Sequence, residues 1–228
     1  MHAEWFSLHW HGLKLHGATW HDGVIGATQC GTPPRGRATY LVPLGGQAGT
    51  YFWHAHAGSL RVDGPAGALI IEDPNEPLVY DEERLLQVTD WWHADSRQQA
   101  AGLDQQDFQW IGDPQSILHN GIGAPCHTRS DWLKCRNSTL AEISVHRSRT
   151  YRLRIIHSGA LSYFRLRIDG HDLTIVEADG VLVEPTTVSA LLINAGQRYS
   201  VLLRTEHGMP GGAFWIYSST RYRAPVSG

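Results

Sequence analysis

Charged side chains make up only 18% of the 228 residues, and 19 Lys and Arg against 22 Asp and Glu leave a net charge of −3. Without a basic excess there is no electrostatic footprint for a polyanion, and nucleic acid binding is excluded as a leading function. No uninterrupted apolar stretch approaches the ~18 residues that a membrane span needs. Met1-His2-Ala3-Glu4-Trp5 lacks the basic and apolar regions of a leader peptide, so no targeting signal is visible. A long amphipathic helical period is also missing, which argues against a bundle or coiled coil. Cysteine is scarce: Cys30, Cys126 and Cys135 leave at least one thiol unpaired within the chain. Cys126 and Cys135 are close enough for a local disulfide across a turn, with one of them bonding a cysteine in a lost N-terminal segment as the rival pairing. Cys30 has no near mate.

What is abundant is turn chemistry. The 24 Gly and 11 Pro exceed the roughly 12% average share of these two residues. Short alternating apolar and polar runs lie between such turns, as half-buried strands do. Residues 151–155 and 164–168 place apolar side chains on one face and Arg152, Arg154, Arg165 and Arg167 on the other. The arginines read as the solvated outer face of a sheet, and the two segments as candidates for neighbouring strands, the second ending in an Asp169-Gly170 turn. Residues 173–176, 190–193, 199–203 and 214–217 continue the pattern, and together they predict an all-β chain of sandwich type. The polar, twice-proline segment Glu72-Asp73-Pro74-Asn75-Glu76-Pro77 marks a boundary. We divide the chain into a domain over 1–75, a linker over 76–82 and a domain over 83–228. The first part holds about four strand candidates, few for a closed β domain, and is expected to be truncated at its N-terminus.

Fourteen histidines are present, seven of them within the first 56 residues. His9-Trp10-His11 and His54-Ala55-His56 each set two imidazoles two residues apart, a spacing that puts both on one face of a strand. Four such groups meeting in one space suit copper, zinc, iron or nickel. Spacing alone is weak, since roughly one such pair arises by chance at this histidine frequency. Neither pair is followed by Asp-His, and no His-Glu-x-x-His occurs, which disfavours zinc hydrolysis. Asn137-Ser138-Thr139 fits a glycosylation acceptor and points to a secreted protein.

Several longer strings carry a specific resemblance. His9-Trp10-His11-Gly12, Trp20-His21-Asp22-Gly23, Gln29-Cys30, Gly49-Thr50-Tyr51-Phe52-Trp53-His54-Ala55-His56 and Gly67-Ala68-Leu69-Ile70-Ile71 resemble the first cupredoxin domain of multicopper oxidases, the laccase and ascorbate oxidase family. Asp90-Trp91-Trp92-His93, Trp110-Ile111-Gly112-Asp113-Pro114-Gln115 and Val176-Glu177-Ala178-Asp179-Gly180 are similar to the second. The resemblance covers essentially the whole chain and implies two cupredoxin-like (plastocyanin-like) Greek-key sandwiches, the first incomplete.

By that resemblance His9 would ligate a type 2 copper, and His11, His54 and His56 a type 3 pair. The family's remaining ligands lie in His-Pro-x-His-Leu-His-Gly-His and His-Cys-His stretches of a third cupredoxin domain. Neither stretch occurs here, so half of the trinuclear ligands and all type 1 ligands are expected to be missing, and the chain by itself is expected to bind copper weakly and oxidise nothing. The parent enzyme would couple one-electron oxidation of a phenolic or enediol reductant to reduction of dioxygen to water. Asp22 matches the acidic residue that delivers protons near the type 2 copper, Trp110 a tryptophan lining the substrate site, and Cys30 a cysteine bonded to the third domain. An extracellular setting follows from the family and the glycosylation pattern. The remaining histidines, among them His16, His21, His93, His119 and His157, have no ligand spacing. The competing reading is a non-catalytic two-domain copper-binding or interaction module.

Overall fold

The computed structural model describes residues 5–123, 140–205 and 212–220. β1 (Leu8–His11), β2 (Gly49–Ala55) and β3 (Ala66–Ile71) form a three-stranded antiparallel sheet in the order β1-β2-β3. Its small core gathers Leu13, Leu15 and Tyr51, with Trp10, Val42, Leu69 and Ile71 packed against them. Among the described residues three strands stand where about four were expected.

The chain then runs through β4 (Glu82–Trp91), the α-helix α1 (Ser96–Leu103), β5 (Ser116–His119), β6 (Arg149–His157), β7 (Phe164–Ile168), β8 (Leu173–Ala178), β9 (Val181–Val188), β10 (Leu191–Ile193), β11 (Arg198–Thr205) and β12 (Ile216–Ser219). A six-stranded sheet in the order β5-β4-β6-β11-β8-β9 faces a three-stranded sheet in the order β10-β7-β12. All pairs are antiparallel except β4 with β6. Leu86, Val88, Leu153, Ile155, Leu173 and Val201 from one sheet meet Phe164, Leu166, Ile168, Leu191 and Ile193 from the other, so the apolar half of each alternating strand fills one sandwich core. Asp169-Gly170 closes a tight turn, with Gly170 at φ +69°.

Two expectations are corrected. β6 and β7 are not neighbours: they lie in different sheets and touch through Leu153, Ile155, Phe164 and Leu166 across the core. Alternation fixes which face is apolar, not which strand lies alongside. Nor are all four arginines on a solvated face. Arg165 and Arg167 on β7 are half exposed, but Arg152 is 0% exposed and Arg154 is buried with it.

The reason is the second body of the molecule. The polar face of the six-stranded sheet is covered by the N-terminal sheet, and Glu177 on β8 sits between them, 1% exposed. Its Oε1 accepts from Thr50 N on β2 at 2.6 Å, and its Oε2 accepts from Thr50 Oγ1 at 2.9 Å, Arg152 Nη2 at 2.7 Å and Ser200 Oγ. Arg154 donates to Thr50 Oγ1 at 2.8 Å and pairs with Glu83, while Arg152 also reaches Glu76. Arg198, likewise buried, donates through Nε to Thr50 O at 3.0 Å. Gly49 and Gly180 allow this approach: a Cβ on Gly49 would stand 2.7 Å from Glu177 Oε1, and one on Gly180 2.7 Å from the Tyr51 ring. At the opposite end Asp63 accepts from Ser96 N and Ser96 Oγ, at 3.0 and 2.7 Å, which ties α1 to the N-terminal body.

Burial pushes the Glu177 carboxyl up, but the hydrogen bonds from Ser200, Thr50 and Arg152 outweigh it and hold the group below the usual carboxylate range. Glu83 behaves alike, its burial offset by Arg154 and Tyr80. Stabilisation from such groups is complete above the ordinary Glu value of ~4.3 and is lost as pH falls through the lowered values. Glu177→Gln removes the most deeply buried of the countercharges of Arg152, leaving it only Glu76 and the more distant Glu83, so we expect a loss of about 3 kcal/mol at pH 7. We also expect a shallower fall in stability below pH 4 than in the parent chain. Urea titrations of both proteins at pH 7 and across the acid range check this.

Candidate metal centre

In the β1–β2 ladder His9 stands directly opposite His54, and His11 opposite Phe52. Opposed residues in a ladder share a face. His56 lies just past β2, but its N–H donates to Ser7 O at 3.0 Å, which continues the pairing and keeps it on that same face. Trp10, Trp53, Leu8 and Ala55 take the other face. The imidazoles crowd accordingly: His9 has ring centroids 5.7, 5.2 and 5.4 Å from those of His11, His54 and His56, and His54 lies 5.8 Å from His56. One ligand atom from each of His9, His11 and His54 falls within 4.8 Å of the other two.

Hydrogen bonding decides which nitrogens are open. A carbonyl only accepts, so His9 carries its proton on Nδ1, which donates to Asp22 O at 2.9 Å and lies 3.1 Å from Asp22 Oδ1, leaving Nε2 as the lone-pair atom. The 3₁₀ turn Thr19–His21 delivers Asp22 there. It packs so tightly on β1 that a Cβ on Gly23 would meet Leu8 O at 2.0 Å. His54 Nδ1 likewise donates to Ala55 O at 2.9 Å, which turns its Nε2 lone pair toward His11 Nδ1, 3.3 Å away. The opposite edge of His11 is closed, since a Cβ on Gly196 in the β10–β11 turn would come within 2.9 Å of Nε2. Phe52, fully buried, stacks on His11 at 4.4 Å.

Burial, reinforced by the positive charges of Arg198 and Arg61, lowers the His11 pKa to about 3. Burial lowers His54 to about 4 against the opposing effect of its bond to Ala55 O, with Arg61 adding to the depression. Both rings are therefore neutral, the state in which imidazole binds a metal. Nitrogens ~2.0 Å from one ion at a tetrahedral angle lie ~3.3 Å apart, so the spacing of His11 Nδ1 and His54 Nε2 is one that a shared cation satisfies. An all-imidazole donor set with a carboxylate and a carbonyl behind His9 fits copper and other borderline divalent metals.

The remaining sequence candidates lie elsewhere. Trp110 is half exposed in the loop after α1, stacked 6.5 Å from the exposed Phe108, and is not among the clustered rings. Cys30 is an exposed free thiol. Cys126, Cys135 and the 137–139 glycosylation pattern lie outside the described residues. Sequence reasoning missed Phe52, Arg61 and Gly196. Phe52 had a signal, being two residues before His54 and so on the histidine face, whereas Arg61 and Gly196 reach the cluster only through tertiary packing.

The assignments are directly measurable in the metal-free protein. Long-range ¹H–¹⁵N spectra at pH 7 should show His9 and His54 protonated on Nδ1. Because the folded values are lowered, His11 and His54 should keep neutral-ring nitrogen shifts when the pH is brought down to 5.

Residues 1–76 match one family model described as multicopper oxidase, and residues 82–227 match a second of the same description. The chain is 39% identical over 222 residues to Laccase-2 of Cryptococcus neoformans var. grubii, an alignment covering 93% of this chain and 37% of that protein. It is 37% identical over 238 residues to the L-ascorbate oxidase of Cucumis sativus, covering 99% of this chain and 40% of that protein. Its fold matches the crystal structure of the laccase from Botrytis aclada with a TM-score of 0.81 and 31% identity, over 95% of this chain and 39% of that one. The chain thus spans about two fifths of the length of these relatives. Among the described residues no helix is long and apolar enough to cross a membrane. With family models matched on both sides of the Glu72–Asp81 connection and an all-β architecture shared with a solved laccase, this chain belongs to the multicopper oxidase family.

Proposed function

We propose that this chain supplies half of a trinuclear copper centre in an enzyme that oxidises a phenolic or enediol reductant and reduces dioxygen to water. The observation that carries the reading is the shared face of His9, His11, His54 and His56, with His11 Nδ1 and His54 Nε2 3.3 Å apart. His9 is assigned to the type 2 copper through Nε2. His11 through Nδ1, together with His54 and His56, is assigned to the type 3 pair. Bound copper would supply the one-electron redox chemistry.

The chain's own residues do the rest. Asp22 fixes the His9 ring through its carbonyl and sets a carboxylate beside the same nitrogen, where Oδ1 can hold and pass on a proton. Gly196 closes one edge of His11 and Phe52 covers its face, which keeps water from that side. The exposed, stacked rings of Phe108 and Trp110 offer a flat aromatic surface to a planar reductant. In this reading the domains are 1–75 and 83–228 with a linker at 76–82, the other copper ligands come from a third cupredoxin domain, and the setting is extracellular, with Cys126 paired to Cys135 and Asn137 glycosylated.

Cu(II) titration of the purified chain, followed by EPR and by competition with a chelator, tests the assignment. Uptake should be measurable in the parent, and His9→Ala and His54→Ala should each weaken it by about tenfold or more. Asp22→Asn, which acts only through His9, should weaken it by less. Uptake unchanged in both alanine variants would place the copper elsewhere.

A further inference from the structure

Arg61 lies on the 3₁₀ turn Leu60–Asp63, five residues beyond His56, yet its side chain is committed to the other body of the molecule. Nε donates to Ser158 O at 3.4 Å and Nη2 to Gly159 O at 2.5 Å. Those two carbonyls are presented by a loop that a single buried carboxylate shapes. Asp90 on β4, 1% exposed, accepts from Ala160 N at 2.8 Å, Leu161 N at 2.9 Å and Ser162 N at 2.7 Å. With its N–H groups turned inward to Asp90, the start of the loop directs oxygens outward at Arg61. Gly159 is required there, because a Cβ would stand 2.2 Å from Asp90 Oδ1. On the first body the guanidinium lies 5.7 Å over the ring of Phe52, which stacks on His11 and lies 5.5 Å from His54.

We infer that Arg61 is a positioning residue of the metal centre, holding Phe52 against His11 and locking the loop 158–162 to the histidine strands. The inference rests on the copper reading above. Its geometric content is that a planar fork is needed. A guanidinium can reach two carbonyls while its carbon stays over an aromatic ring, and an ammonium cannot do both. The imidazole orientation at His11 thereby depends on Asp90, nearly eighty residues further along the chain, through four side-chain and backbone contacts in series.

The test uses the 228-residue chain with Arg61→Lys and Arg61→Gln, each loaded with Cu(II) alone. Both variants should keep the parent circular dichroism and copper stoichiometry. Both should show altered parallel hyperfine splitting in EPR and an affinity about tenfold weaker, the usual cost of losing an outer partner of a ligand. A role in holding the fold alone would lower the melting temperature and leave the EPR signal of copper bound to folded molecules untouched. Parent-like spectra and affinity in both variants overturn the inference, and should Arg61→Gln not fold, Arg61→Lys decides it alone. Failure of the unsubstituted chain to take up copper is a different result, which overturns the copper reading and this inference with it.

Discussion

The structure depends on how one carboxylate is placed between two sheets. Glu177 accepts hydrogen bonds from the backbone and hydroxyl of Thr50 on the N-terminal sheet and from Arg152 and Ser200 on the sandwich. An isolated carboxylate or guanidinium at 0–1% exposure would be very costly, and mutual pairing with dense hydrogen bonding, which leaves Arg152 Nε without a partner, makes such burial tolerable. The polar sheet face is thereby committed to one partner in one register. A slide of β2 by one residue would present the wrong side of the strand and take the Thr50 hydrogen bonds from Glu177, Arg154 and Arg198. An apolar interface of equal area would hold the two bodies as firmly, but it would tolerate neighbouring arrangements more readily.

That fixed register is what the histidine cluster needs. β2 carries Thr50 at one end and His54 at the other, with Phe52 between them on the same face. Pinning Thr50 to Glu177 therefore sets where His54 lies relative to the sandwich. Gly196 and Arg198 act on the same scale: Arg198 binds Thr50 O, and two residues before it Gly196 meets His11. The N-terminal sheet, whose own apolar cluster gathers only Leu13, Leu15 and Tyr51 as buried residues, thus takes much of its precision from the body it rests on.

Much of this was legible in the sequence, for definite reasons. A two-residue spacing on a strand fixes a common face, so each His-x-His pair could be placed before any coordinates. The antiparallel register that brings the two pairs together had to come from the structure. Turn chemistry located Asp169-Gly170, and alternation located β6, β7, β8, β10, β11 and the first half of β12. β9 was passed over because residues 181–188 are exposed along almost the whole strand and carry no alternation. The arginine stripe was misplaced for a related reason. Arg-x-Arg on a strand states that one face is polar, and a polar face normally meets water. Here the countercharges come from Glu76, Glu83 and Glu177, and the covering sheet from residues about a hundred positions earlier, none of which alternation encodes.

The same argument explains why the lone-pair atoms point where they do. Neutral imidazole has one donor and one acceptor, so an acceptor for the proton on one side of a ring aims the lone pair on the other. For His54 that acceptor is Ala55 O, the carbonyl of the next residue, and the strand conformation supplies it without help. For His9 the acceptor is Asp22, delivered by a turn whose Gly23 alone permits contact with β1. His11 is held by packing instead: Gly196 lies against its Nε2 edge and Phe52 stacks on its face. Three histidines on one sheet are thus aimed by three different devices: local backbone, a neighbouring turn and a distant body. Only the first is a property of the strand sequence itself, so a His-x-His pair lifted from this fold would keep its spacing and lose its aim.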